Sequence, residues 1–328
     1  MGSCSMKGGH RSVSTSAELS SSGRSASETI STLIGVSRRS CRLEVREPGK
    51  LHRSPTGPKE SDEMEVHTCD VAADVTLEYA TSGPRDAPSV LLLHGNGPNW
   101  RQFTPQLDSL ADRWWVIAPS LRGHGRSTLP PEPTHGDLTV ERLAADVLAL
   151  LDHLGVGRVH FVGNSLGGLV GFQLAGSHPE RLASLASFGT TAQLHSSPAL
   201  VRTMTALLRL LGTSGSGRLA GLAVKDRAVG RRIAELMATA DPVAVRLLTE
   251  NVANYDHTPT LRASTVPLLL LRCELDRSIN RNLASTLAAL EHREDAEVVD
   301  LAGAGHFANL EQPATFDAAL RSFLERHR

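Results

Sequence analysis

From about residue 66 onward, short uninterrupted apolar runs alternate with stretches of helical periodicity, and few architectures accept that order. Residues 89–93 (SVLLL), 114–118 (WWVIA), 158–162 (RVHFV), 182–188, 266–271 (VPLLLL) and 296–301 read as strands. A run with no polar alternation has no face for water. Such strands are predicted to lie in a mostly parallel sheet with helices on both sides. Residues 71–79 alternate instead, as an edge strand does. Residues 140–154 place Val140, Leu143, Val147, Leu150, Leu151 and Leu154 on one stripe, with Thr139 as N-cap and Gly155 as stop. Further helices are predicted over 166–176, 280–290 and 314–326. Residues 190–264 carry helical periodicity at 200–211, 228–238 and 243–252 but no strand, with a Gly/Ser break at 212–217. They read as a helical insertion between two strands of one sheet, over the edge where loops carry function.

Charge and composition narrow the partners. The 328-residue chain has a net charge of −1, so no overall basic excess draws it to nucleic acid or to a membrane. No apolar run approaches the ~18 residues of a membrane span. Cys4, Cys41, Cys69 and Cys273 have neither metal nor redox spacing, and a reducing, cytoplasmic compartment is the expectation. Residues 1–60 carry 10 Lys and Arg against 5 Asp and Glu, with 14 serines, while the remainder carries 24 against 30. Few aliphatics and no sustained periodicity predict a disordered extension over 1–63. Its readings are a plain tail or sequence upstream of a start at Met64, an organelle-targeting segment in 1–60, or a partner-binding arm.

Gly163-Asn164-Ser165-Leu166-Gly167 is the only Gly-x-Ser-x-Gly in the chain, and it lies between a predicted strand and a predicted helix. That setting makes a nucleophile elbow. The sharp reversal strains the serine backbone and brings strand and helix together, so small residues are needed two before and two after. Ser165 then projects at a helix N-terminus, where developing negative charge is favoured. A serine hydroxyl needs a base. Of 14 histidines, His306 stands out in Gly303-Ala304-Gly305-His306-Phe307, straight after a strand. Asp276, just past the strand 266–271, would hold the imidazole tautomer; Glu274 is its rival. The order Ser165, Asp276, His306 is that of one triad fold among several. An oxyanion hole would take the Leu166 amide and a second donor at Asn96, in the loop His94-Gly95-Asn96-Gly97-Pro98.

With these segments stand Arg122-Gly123-His124-Gly125-Arg126-Ser127, Glu274-x-Asp276, and Gly305-His306 followed by Leu310-Glu311-Gln312-Pro313. In that order, residues 66–327 resemble the α/β-hydrolase superfamily, serine-nucleophile branch. They are most similar to small-molecule esterases and lactonases of the 3-oxoadipate enol-lactonase type. The resemblance implies an α/β-hydrolase fold: a mostly parallel eight-stranded sheet with helices on both faces, and a helical cap between strands 6 and 7. The corresponding domain is 64–328, with core 64–189 and 265–328 and cap about 190–264. It also implies nucleophile Ser165, acid Asp276, base His306 and oxyanion donors at Asn96 and Leu166. Asn164 would contact substrate in the related hydrolases that cleave carbon–carbon bonds. Those enzymes carry Trp after the base, where this chain has Phe307. Ser120 and Cys273 depart from the usual Asp and Gly.

The expected function is hydrolysis of a small carboxylic ester or lactone through an acyl-enzyme, with no cofactor, metal or nucleic acid. The oligomeric state is open. Carbon–carbon hydrolysis, or a non-hydrolytic binder or lyase on the same fold, is the alternative. A carboxylate nucleophile, as in dehalogenases and epoxide hydrolases, is excluded by Ser165.

Overall fold

The computed structural model describes residues 64–328. The predicted extension 1–63, with its targeting and upstream-start readings, lies outside the described residues. Ten strands form: β1 Glu65–Ala72, β2 Val75–Ser82, β3 Ser89–Leu93, β4 Trp115–Pro119, β5 Val159–Asn164, β6 Leu182–Phe188, β7 Gln193–His195, β8 Asn254–Asp256, β9 Leu268–Cys273 and β10 Ala296–Leu301. Eight make one sheet in the order β1-β2-β4-β3-β5-β6-β9-β10, and β7 pairs with β8 in a separate ribbon. The β1–β2 and β2–β4 pairs are antiparallel; every other pair in the large sheet is parallel.

Side-chain alternation explains the continuous apolar strands. Leu91 and Leu93 enter one core cluster, with Leu143, Val147, Leu150 and Val170; Val90 and Leu92 enter the other, with Leu107, Phe316, Leu320 and Phe323. The helices behind these clusters are α1 Thr104–Leu110, α2 Val140–Leu154, α3 Leu166–Ser177 and, later in the chain, those following β9 and β10. On α2, Thr139 accepts from the Arg142 N–H and Gly155 closes the helix at φ 73°, as its sequence predicts.

Three expectations need correction. The single edge strand over 71–79 is a hairpin turning at Ala73-Asp74. The alternation runs in phase through that turn, with Val71, Val75 and Leu77 all buried, so the pattern conceals the break. The segment between β6 and β9 does contain strands, β7 and β8, but at three residues each they are too short to show a period. The helix expected over 280–290 is two, Arg277–Asn280 and Ala284–Leu290.

The rest of that segment is helical: α4 Pro198–Leu222, α5 Arg227–Met237, α6 Pro242–Asn251 and α7 Thr258–Ala263. The expected Gly/Ser break falls inside α4, where Gly212 leaves helical geometry at φ 64° and ψ −175° and divides the span into two helical pieces. Beyond it lie α8 Arg277–Asn280, α9 Ala284–Leu290, α10 Ala308–Glu311 and α11 Pro313–Arg326.

One ion pair locks the loop after β4 to α2. Arg122 donates through two nitrogens to Asp146, at 2.6 and 2.5 Å, and both residues are buried. Burial pushes the Asp146 carboxyl up, against the opposing pull of Arg122. Removing one partner strands a charge in the interior, so Arg122→Ala is expected to lose about 3–5 kcal/mol of stability, read by chemical denaturation. A loss below about 1 kcal/mol would mean water solvates the orphaned carboxylate.

Candidate active site

Five parallel strands deliver their following loops to one sheet edge. Leu93 of β3 pairs with Gly163 of β5, Asn164 of β5 with Phe188 of β6, and Cys273 of β9 with Leu301 of β10. Loops leaving the carboxyl ends of such strands are where an open α/β sheet forms its crevice.

Ser165 is the sole non-glycine with positive φ among the described residues, at φ 52° and ψ −116°. Its N–H donates to the Phe188 carbonyl at 2.9 Å, and its carbonyl accepts from Gly168 and Leu169 in the first turn of α3. The flanking glycines are sterically required. A Cβ on Gly163 would lie 2.4 Å from the Gly167 backbone, and one on Gly167 would lie 2.2 Å from the Leu93 carbonyl oxygen. Leu166 opens α3, so its N–H is among the first-turn donors without an intrahelical acceptor. The loop after β3 lies alongside, since a Cβ on Gly95 would stand 3.0 Å from that of Ser165.

His306 and Asp276 meet directly, Nδ1 to Oδ2, at 2.6 Å. Asp276 is buried at the N-terminus of α8, and its other oxygen accepts from the Ser278 hydroxyl at 2.8 Å and the Ile279 N–H at 3.3 Å. Burial works to raise its pKa, but the His306 bond and charge, with the Ser278 and Ile279 bonds, outweigh it and hold the carboxyl below its usual range. Glu274, the rival acid, accepts from the Gly303 N–H at 2.7 Å instead. The His306 loop is clamped by Glu311, whose two oxygens accept from the N–H groups of Gly305 and Phe307 on either side of the imidazole. The Phe307 ring packs edge-on to His306, with centroids 5.3 Å apart.

Asn164, the expected substrate-contact position, lies directly before Ser165 at the end of β5. It is fully buried, and its side chain is engaged on all sides: Nδ2 donates to the carbonyls of Phe188 and His306, and Oδ1 accepts from Gln102. It ties the residue beside Ser165 to the backbone of His306 at 3.1 Å, and so joins the serine turn to the histidine loop. Gln102 in turn donates to Asn309, which donates to Gln106. This amide cluster has no trace in local spacing, because its members lie up to 207 positions apart.

Asn96 sends its side-chain amide to the Val245 carbonyl at 3.0 Å and the Thr249 hydroxyl at 3.1 Å, both on α6. His94 fixes the start of the same loop. Its Nε2 accepts from the Leu121 N–H, and its Nδ1 therefore carries the proton toward the Gly95 carbonyl. Burial, with the neighbouring His124, pushes the pKa of this ring well below the usual histidine value. Ser120, in place of the usual Asp, still accepts from the Trp100 N–H at 3.2 Å. The Cys273 thiol is buried and pushed up to about 12 by burial, an inert packing group. Among the described residues no cluster of His, Cys, Asp and Glu could hold a metal ion.

The family described as alpha/beta hydrolase fold matches residues 88–229. The chain is 28% identical to 3-oxoadipate enol-lactonase 2 of Acinetobacter baylyi, over 78% of this chain and 95% of that protein. It is 31% identical to a protein named "Putative carbamate hydrolase RutD" of Pseudomonas syringae pv. syringae, over 75% of this chain and 97% of that one. Among solved structures, the enol-lactonase of Burkholderia xenovorans LB400 superposes with a TM-score of 0.68 at 26% identity, covering 77% of this chain and 99% of that one. The family match, with 31% identity over 97% of the length of such a relative, makes this chain a member of the alpha/beta hydrolase family.

Proposed function

We propose that the protein is a serine hydrolase that cleaves small carboxylic esters or lactones through an acyl-enzyme. The observation that carries the proposal is the 2.6 Å His306–Asp276 bond on a loop joined through Asn164 to a strained serine turn. Asp276 accepts the Nδ1 proton of His306, which leaves Nε2 with a free lone pair. That nitrogen takes the Ser165 hydroxyl proton while Oγ bonds to the substrate carbonyl carbon. The resulting oxyanion rests on the Leu166 and Asn96 backbone amides. Collapse breaks the bond to the leaving oxygen, which takes the proton from His306. In a lactone that oxygen stays on the same molecule. Water then loses a proton to His306, attacks the acyl carbon and releases the acid, and the proton returns to Ser165.

Residues 190–264 form, in this reading, a cap on a core of 64–189 and 265–328. The contacts from Asn96 to α6, and from Asn99 to Thr239, support that assignment by joining the insertion to the oxyanion loop. The enol-lactonase names among the relatives support an ester or lactone substrate.

A fluorophosphonate reagent tests the nucleophile. One equivalent is expected to attach to the peptide containing Ser165, with turnover of p-nitrophenyl esters and of a lactone panel lost in proportion. Folded protein that takes up no reagent and turns over neither panel would favour the binder reading.

A further inference from the structure

We propose that α4 is a docking surface for anionic phospholipid bilayers, an inference that stands apart from the catalytic reading. Leu200, Met204 and Leu207 recur at spacings of four and three, which places them on one face of the helix, and all three are exposed. Leu210 stands beside them at 80% exposure, and Leu219 and Leu222 are also exposed, beyond the Gly212 break. Of the 25 residues of α4, only Thr205, Gly217 and Gly221 are buried. Single exposed leucines are ordinary on a soluble protein, but six exposed large apolar side chains within 23 residues, four of them on the helical piece before Gly212, mark a contact surface.

Charge selects the occupant. Residues 198–232 hold seven Lys and Arg, all exposed, against one acid, Asp226. On α4 itself Arg202, Arg209 and Arg218 face no acidic residue of the same helix. Among the described residues none of the seven cations joins an ion pair. An apolar row bordered by unpaired cations matches acyl chains lying under anionic headgroups. A second copy of the chain would set the same cations against one another, and residues 1–60 also carry a basic excess, so neither complements this surface. No helix among the described residues is long and apolar enough to cross a membrane, so the contact is one of lying on the surface. The expectation of no membrane partner rested on the net charge of the whole chain, −1, which averages this local surplus away.

Flotation of the full chain with unilamellar vesicles tests the proposal. Phosphatidylcholine vesicles containing phosphatidylglycerol are expected to carry about tenfold or more protein than pure phosphatidylcholine vesicles, with the difference lost at high salt. The double variant Leu207→Ser/Leu210→Ser should float roughly tenfold less, and Arg202→Glu/Arg209→Glu should lose the preference for anionic lipid. Both should hydrolyse a short soluble ester at the wild-type rate, which separates loss of docking from loss of folding or of the active site. Equal flotation with both vesicle types overturns the proposal. So does flotation that neither variant reduces, which would assign binding to another segment. A wild-type dimer in light scattering that Leu207→Ser/Leu210→Ser dissolves would give the surface to a second copy instead.

Discussion

Ser165→Ala is expected to lower kcat for ester and lactone hydrolysis by about 10⁴–10⁶-fold while KM changes little. The nucleophilic oxygen is lost, but the proposed oxyanion amides of Leu166 and Asn96 are untouched, so binding persists while the covalent route disappears. What survives is the residual acceleration from positioning and amide donors, roughly 10³–10⁴ over water in serine triads. The elbow itself should fold normally. Its geometry is imposed by the Gly163–Gly167 approach and by the Ser165 N–H bond to Phe188, and alanine keeps both. Thermal unfolding beside steady-state kinetics separates the two effects. A variant of unchanged stability that keeps more than a tenth of wild-type kcat would remove Ser165 from the mechanism.

Asp276→Asn is the next largest expected effect, about 10⁴-fold in kcat. The asparagine fits the same volume but offers an N–H₂ group as readily as an oxygen to His306 Nδ1. The imidazole then settles with its proton on Nε2, the atom that must be bare to take the serine proton. Stability supplies a second readout, and its sign follows from the depressed Asp276 pKa. A carboxyl held below its unfolded value near ~3.9 contributes stability that is full above that value and is lost as pH falls through the folded value. The stability gap between wild type and Asp276→Asn should therefore close on acidification below about pH 4 and stay constant above about pH 5. Denaturation curves across that range check it. A gap independent of pH would mean that the carboxyl is not charged in the folded state.

Much of this architecture is legible in the sequence because its signals are local. The capped stripe of α2 and the unbroken apolar strands carry their own burial pattern, and both faces of β3 do enter core clusters. The serine turn is legible for a similar reason, since steric demands at Gly163 and Gly167 leave a five-residue mark. The hairpin at Ala73-Asp74 is hidden because two turn residues preserve the alternation on which strand recognition depends. The role of Asn164 is hidden because it is set by partners far along the chain. Gln102 and the His306 carbonyl make that residue a buried tie between two loops. The cationic, apolar face of α4 shows the opposite limit: its residues are plain in the sequence, but that they remain uncovered is a property of the packed molecule.

The two bonds that Asn96 sends to Val245 and Thr249 limit how freely such enzymes can be recombined. A chimaera that exchanges residues 190–264 for the corresponding stretch of another hydrolase also replaces the anchor of a loop beside the reacting serine. Grafts that retain an acceptor pair at those two α6 sites should inherit a preset amide, whereas grafts that omit it import a new specificity together with a slackened loop.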